Sequence, residues 1–447
     1  MLKGDNIYFI GIGGIGMSAL ARFFVAEGKK VSGYDKTPSP LTQSLEDEGI
    51  EIVFDDDPNL IPQTPDIVIY TPAIPGDNLI YNHLKNKEIP FYKRSEILGE
   101  ISKEFFTIAV AGTHGKTTIT SLISHILKYN NLPVTGFVGG ICKNYKSNLI
   151  LSENSKILVV EADEFDRSFL TLHPDIAIIS SMDADHLDIY GSQDFLKESF
   201  FLFSRQIKKG GFLIIKKGLS VAPNLNINVQ EYSVEGNTLI EAKNIKIKKG
   251  ETHFTLNING SYSEDYATFL PGKHNVENIT AAAAAAYRLG INDLELSKAI
   301  STYTGVTRRF DIKINSPERI YIDDYAHHPA EITATLKAVR NLHPDKKITI
   351  IFQPHLFSRT RDFGDDFGKA LSLADEVLLM DIYPAREKPI KGITSKWLLD
   401  KIACNNKQIV DFDNVIQIIT QLNPELILTL GAGDIDRIVE PLKKALS

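Results

Sequence analysis

Residues 107–120 read Thr-Ile-Ala-Val-Ala-Gly-Thr-His-Gly-Lys-Thr-Thr-Ile-Thr, and they constrain the fold more than any other segment. A β-branched strand pattern enters a glycine turn, passes Lys116 and Thr117, and continues with helical spacing. Backbone N–H groups in such a turn point into one concavity, and the following helix aims its positive end there. That is a phosphate cradle. Gly112, Thr113, His114 and Gly115 would wrap the anion, with Thr118 just behind on the helix. Lys116 would reach the β/γ-phosphates and the Thr117 hydroxyl would sit on Mg²⁺. The spacing Gly112-x-x-Gly115-Lys116-Thr117 is shorter than the usual P-loop pattern. A chance Gly-Lys-Thr at an ordinary junction is the competing reading, and the flanking strand and helix weigh against it.

One core seldom reaches 447 residues, so about three domains are expected. Hydrophobic residues at 43% and charged residues at 23% suit a soluble globular protein. A net charge of −7 leaves no basic excess for a nucleic-acid partner, although local Lys/Arg clusters can still hold small anions. Cys142 and Cys404 are the only cysteines, which fits a reducing compartment without a disulfide or zinc framework. The N-terminal segment lacks signal-peptide features, and no apolar run reaches bilayer length. A cytoplasmic protein with no membrane insertion is expected.

Strand and helix patterns alternate in three blocks, predicting an α/β fold. In the first block, the strand Asn6–Ile10 meets Gly11-Ile-Gly13-Gly14-Ile15-Gly16, and Met17–Glu27 has helical spacing. A second strand leads to Asp35, about twenty residues on, where a dinucleotide fold places its ribose-binding acid. The run Asp66–Ile74 reads as another buried strand ending in Thr71-Pro72-Ala73. Ligands lie outside strand carboxyl ends in such sheets, so this loop should face the same crevice as the glycine turn.

The second block begins near Glu104. The strand Ile157–Val160 runs into Glu161-Ala162-Asp163-Glu164, and Asp175–Ser181 runs into Asp183, Asp185, His186 and Asp188. Mg²⁺ prefers oxygen ligands plus substrate phosphate, so Glu161 fits as a ligand and His186 as a second one. Helix capping is the other use for such acids, and it suits Asp163 and Asp188. From Gly211 to Phe269 hairpin signals predict a β-rich flank. Asn275 and Asn278 lie near the start of a helix through Ala281–Ala286. Asn275 is either an N-cap or a group that reads a base.

The third block follows Arg308-Arg309-Phe310. Its strands Ile320–Asp324, Ile348–Phe352, Glu376–Ile382 and Leu426–Leu430 predict a further parallel sheet. Pro329 should open the helix that runs to Leu342. Histidines and arginines gather at the strand carboxyl ends, as a site for phosphates and carboxylates requires.

A nucleotide turn with Mg²⁺ ligands, a second glycine turn and a third basic-loop block together suit one reaction class. That class is ATP-driven joining of a carboxylate to an amine. A carboxylate oxygen leaves poorly, so transfer of the γ-phosphoryl makes an acyl phosphate that the amine then attacks. Catalysis is positioning and charge neutralisation.

The chain resembles the Mur ligases of bacterial cell-wall synthesis, most of all their alanine-adding branch. The resemblance rests on Gly11–Ser18, Gly112–Thr118, Glu161–Glu164, Asp185-His186, His274–Asn278, Arg308–Phe310, Asp323–Pro329 and Gln353–His355, in that order. It implies a Rossmann-like UDP-sugar domain at 1–103 and a central P-loop ATPase-like domain with its β-rich flank at 104–309. A Rossmann-like closing domain would occupy 310–447. Similarity further implies UDP-N-acetylmuramate and L-alanine as substrates, ATP and Mg²⁺ as cofactors, and a monomer or homodimer. Gly11, Gly13, Gly14, Ile15, Gly16, Asp35, Thr71, Pro72 and Ala73 would hold the UDP-sugar. His274, Asn275 and Asp324 look like adenosine contacts, with Asn278 and Arg308 completing the ATP set. Thr117, Glu161 and His186 look like metal partners. Tyr325, His327, His355, Arg359 and Arg361 look like the alanine and phosphate pocket, with Lys116, His186 and Arg359 as the catalytic groups.

Two departures from the family pattern stand out. Leu356 stands where many relatives carry arginine, which moves that role to Arg359 or Arg361. Ser199 and Phe200 stand where several relatives carry a modified lysine, so a carbamylated lysine is not expected. The rival readings are a nicotinamide oxidoreductase, a ligase that recycles preformed peptides, and a non-catalytic nucleotide-binding scaffold. The first leaves the Lys116 turn unexplained, and the glycine run Gly11–Met17 argues against the second.

Overall fold

The computed structural model describes residues 4–183, 190, 192–221, 227–385 and 387–447. It divides into two compact units. One comprises Met1–Lys243, Thr255–Tyr266 and Asn278–Tyr303; the other comprises Asn244–Phe254, Ala267–Glu277 and Thr304–Ser447.

The first unit holds one sheet whole and most of a second. The smaller has β1 (Asn6–Ile10), β2 (Lys30–Tyr34), β3 (Glu51–Val53), β4 (Ile67–Tyr70) and β5 (Phe91–Lys93), in the order β3-β2-β1-β4-β5. Every pairing in it is parallel. Strand order reverses between β1 and β4, so the turns after these strands open on one crevice. The run expected as a strand from Asp66 to Ile74 leaves the sheet after Tyr70. Thr71 instead turns back so that its methyl packs on Gly11.

The larger sheet comprises β6 (Phe106–Ala111), β7 (Val134–Cys142), β8 (Ser147–Leu151), β9 (Ile157–Ala162), β10 (Ile176–Ile179), β11 (Phe212–Lys216), β12 (Asn228–Val234), β13 (Ile240–Lys248), β14 (Glu251–Ile258) and β15 (Ser261–Thr268). Their order is β15-β14-β13-β12-β11-β10-β6-β9-β7-β8. The hairpin-rich text therefore extends one edge of this sheet. β6 lies between β9 and β10, in parallel with both. The loops after these three strands consequently emerge side by side.

One core joins the two sheets. Phe23, on the helix Ile15–Ala26, meets Phe137 of β7 with ring centroids 5.5 Å apart. Beside it Arg22 donates to both oxygens of Glu48 and to Asn148, whose amide donates to Ile15 O at 2.6 Å and Ser18 Oγ at 2.8 Å. The glycine turn of the small sheet is thus tied to β8.

The second unit holds β16 (Asp311–Asn315), β17 (Ile320–Asp324), β18 (Ile348–Phe352), β19 (Glu376–Leu379), β20 (Asn406–Ile409) and β21 (Leu426–Leu430), in the order β16-β17-β21-β18-β19-β20. It is parallel except for β16, which runs antiparallel to β17. Only a short turn closed by Ser316 N on Arg319 O joins those two strands, and a parallel pair would need a long crossover. Pro329 opens the helix Pro329–Leu342, where its missing N–H costs nothing. No helix among the described residues is long and apolar enough to cross a membrane.

Candidate active site

The turn after β6 is built by two glycines in the left-handed half of backbone space, Gly112 at φ +134° and Gly115 at φ +86°. A methyl group on Gly112 would lie 2.2 Å from Ser180 Oγ, and one on Gly115 would lie 2.5 Å from Asn278 Oδ1. Both positions therefore require glycine. Loops from β10 brace the turn. His114 N donates to Ser181 Oγ at 2.8 Å, Ser180 Oγ to His114 O at 2.5 Å, and Thr113 Oγ1 to Asp183 O at 3.0 Å. Gly115 caps the helix Lys116–Tyr129, so the positive helix end faces the turn.

Lys116 Nζ donates to Gly112 O at 2.8 Å and to both oxygens of Glu164, at 2.8 and 3.0 Å. Burial acts against the ammonium, but Glu164, Asp163 and Glu161 outweigh it and hold the lysine above its usual range. Burial likewise raises the Glu164 carboxyl, and Lys116 pulls it back. Thr117 Oγ1 donates to Glu161 Oε2 at 3.2 Å, and Gly139 N donates to Glu161 Oε1 at 2.5 Å. Asp185, His186 and Asp188 lie outside the described residues.

In the small sheet, Gly11 N and Ile12 N both donate to Tyr34 O, at 2.7 and 3.0 Å, which folds the turn over the end of β2. Asp35 accepts from Gly13 N at 2.8 Å and from Thr37 N at 3.2 Å. Its carboxylate thus shapes the turn from inside. Gly14 caps the helix Ile15–Ala26, and Gly16 lies against the guanidinium of Arg94. Thr71, Pro72 and Ala73 follow β4, with Ala73 N on Thr71 Oγ1 at 3.4 Å.

In the second unit three loops converge because β17, β21 and β18 are neighbours. Tyr325 and His327 have ring centroids 5.3 Å apart, and His327 and His355 lie 6.1 Å apart. His355 stacks on Tyr383 at 5.6 Å and faces Arg359, with Arg359 Nη1 3.3 Å from its Nδ1. Arg359 is buried, whereas Arg361 is exposed and paired with Asp362 at 2.7 Å. Arg308 Nη2 donates to Gly431 O at 2.6 Å, and Arg308 and Arg309 both lie over the Tyr325 ring.

Asp324 is buried and accepts from Thr335 Oγ1 at 2.7 Å. Burial pushes its carboxyl up to about 6, against the pull of that hydroxyl and Arg309. Burial pushes the His274 imidazole down to about 4. Asn275 is not an N-cap. The helix Lys273–Arg288 starts two residues earlier, after Gly272 turns the chain at φ +91°, and Asn275 Nδ2 donates to Pro271 O at 2.7 Å. His274 and Asn275 belong to the second unit and Asn278 to the first.

Glu164, Ser180, Ser181 and Arg94 enter the geometry with no site role assigned to them from the sequence. Glu164 ends the Glu161–Glu164 run, and Arg94 directly follows β5, so proximity to strand carboxyl ends was the signal available for both.

Comparison with known proteins agrees along the whole chain. Residues 6–106 match the model described as Mur ligase family, catalytic domain. Residues 110–286 match the Mur ligase middle domain, and 308–433 match the Mur ligase, glutamate ligase domain. A Flavobacterium johnsoniae protein named UDP-N-acetylmuramate–L-alanine ligase is 48% identical, over 99% of this chain and 98% of its own. The crystal structure of UDP-N-acetylmuramate–alanine ligase from Thermotoga maritima superposes with a TM-score of 0.83 at 29% identity, covering 98% of this chain and 99% of that one. A murein peptide ligase from Psychrobacter arcticus shares the fold, with a TM-score of 0.73 at 24% identity over 99% of each chain.

Proposed function

The chain belongs to the Mur ligase family, and from that premise we propose that it joins L-alanine to the carboxylate of UDP-N-acetylmuramate, driven by ATP. The products are UDP-N-acetylmuramoyl-L-alanine, ADP and phosphate, a step of peptidoglycan precursor synthesis in the cytoplasm. The observation that carries this reading is the Lys116 turn, where a charged ammonium and a helix end flank a glycine-built backbone cradle. The names of relatives sharing 43–48% identity favour alanine over a preformed peptide as the amine.

Three domains divide the work, at 1–103, 104–309 and 310–447. The glycine turn Gly11–Gly16, with Asp35 and Thr71–Ala73, holds the UDP-sugar. Gly112–Thr118 holds the ATP phosphates, and His274, Asn275, Asn278, Arg308 and Asp324 complete the nucleotide site. Lys116 draws charge off the γ-phosphoryl as it passes to the carboxylate oxygen. The amine of alanine then attacks the acyl carbon and phosphate leaves. Tyr325, His327, His355, Arg359 and Arg361 form the pocket for alanine and the departing phosphate, with Arg359 countering its charge.

Mg²⁺ fits the residues present. The Thr117 hydroxyl and a Glu161 carboxylate oxygen lie 3.2 Å apart, a pair of hard oxygen donors of the kind this ion takes alongside phosphate. Thr117, Glu161 and His186 would hold it, and bound there it would neutralise phosphate charge. If His186 is a ligand, His186→Ala activity should recover in part as Mg²⁺ is raised. A changed pH profile without such rescue would mark it as a base instead.

Phosphate release with ATP, UDP-N-acetylmuramate and each amino acid in turn tests the whole reading. Turnover should require all three substrates and be fastest with L-alanine. Turnover with a tripeptide and not with alanine would favour the recycling reaction. Tight NADH binding without UDP-N-acetylmuramate binding would end the ligase reading.

A further inference from the structure

We propose that Arg94 is a substrate-binding residue whose guanidinium clamps an oxyanion of the UDP-sugar acid between the Gly11–Gly16 turn and Glu161. The inference rests on the ligase reading above and adds a residue to it.

Arg94 opens the helix Arg94–Glu104 directly after β5. β5 pairs in parallel with β4, and β4 with β1, so Arg94 emerges at the same sheet edge as the glycine turn. Its guanidinium reaches that turn. A methyl group on Gly16 would lie 2.8 Å from Arg94 Nη1 and 3.2 Å from Cδ and Cζ. Arg94 also lines a small pocket, open to solvent, with Glu161, Asp163, Ser168 and Thr171. One side chain therefore lies against the sugar turn and lines the same pocket as the acids that follow β9.

Among the described residues, no hydrogen bond or ion pair occupies this guanidinium. Arg22, in the same unit, is instead saturated by Glu48, Ser44 and Asn148. A half-buried arginine without a carboxylate is poised for an external one. Its planar fork matches phosphate or carboxylate oxygens. The need is also plain. Gly11–Gly16 contains no cation, and Glu161 and Asp163 repel any anion entering the pocket. A sugar diphosphate whose carboxylate must reach Glu161 needs positive charge along that path.

The test is calorimetric binding of UDP-N-acetylmuramate and of uridine diphosphate, which lacks the carboxylate, to wild type, Arg94→Ala and Arg94→Lys. Arg94→Ala should weaken UDP-N-acetylmuramate by at least about tenfold, and Arg94→Lys should recover only part of that, lacking the fork. Weakening of both ligands assigns the contact to the diphosphate; weakening of the acid alone assigns it to the carboxylate. Unchanged affinity for both, within about twofold, overturns the proposal. ADP binding and thermal midpoint should stay at wild-type values. If Arg94→Ala does not fold, Arg94→Gln serves, since it keeps most of the side chain's bulk while removing its charge and fork. Failure of wild type itself to bind UDP-N-acetylmuramate would instead overturn the ligase reading.

Discussion

The turn at Gly112–Thr118 carries its own cation in Lys116, whereas the turn at Gly11–Gly16 carries none and has Arg94 brought to it from the end of β5. The difference extends to what holds each turn in shape. Lys116 is neutralised by the fully buried Glu164, 2.8 Å away. Gly13 N is satisfied by Asp35, also at 2.8 Å. Each turn thus keeps an internal acid on the group that a phosphate would approach. The turn with its own lysine needs a buried counter-charge, because a desolvated ammonium is costly alone. The turn made only of amides needs one acceptor.

The largest expected effect separates the turns by activity. Lys116→Ala should lower phosphate release by at least about 100-fold, the scale of losing a donor aimed at developing charge. Activity within about tenfold of wild type would mean the cation is not where the chemistry is.

Stability sharpens the same contrast. Lys116→Met strands a buried carboxylate, a loss of about 3–5 kcal/mol. Adding Glu164→Gln should restore much of it, read as a higher urea midpoint for the double variant than for the single one. Equal midpoints would mean that the pair is not coupled.

Asp324 shows what happens to a buried acid without a bonded cation. Its folded pKa, about 6, lies above the unfolded value of 3.8, so the neutral carboxyl stabilises the fold. That contribution is complete below the unfolded value and is lost as pH rises through the folded one. Asp324→Asn should therefore gain stability over wild type across this window, by on the order of 2 kcal/mol at neutral pH. Thermal midpoints against pH would show it, and parallel curves would contradict it.

The smallest effect concerns the amide turn. Asp35→Ala removes one acceptor from Gly13 N and should cost about 1 kcal/mol in urea unfolding, with a few-fold loss of UDP-sugar affinity. A loss as large as that of Lys116→Met would erase the distinction between the turns.

Much of this is legible in the sequence. Asn6–Ile10, Ile320–Asp324, Ile348–Phe352 and Leu426–Leu430 read correctly from end to end, because apolar runs bounded by polar residues or glycine fit buried parallel strands. Asp66–Ile74 reads too long, because the chain leaves the sheet where Thr71 packs on Gly11, a contact with no local signature. Asn275 reads as either a cap or a base contact, and the cap alternative fails because Gly272 turns the chain early, which the sequence does not announce. The Gly-Lys-Thr turn is legible because its cation is adjacent in sequence. Glu164 and Arg94 acquire meaning only from which strands become neighbours.

The central claim is that the acid is activated by accepting the phosphoryl group gripped at the Lys116 turn. UDP-N-acetylmuramate labelled with heavy oxygen in its carboxylate, turned over with ATP and L-alanine, tests it most directly. Mass spectrometry of the released phosphate should find one heavy oxygen, carried over when the amine displaces the acyl phosphate. Unlabelled phosphate at full turnover would contradict the claim.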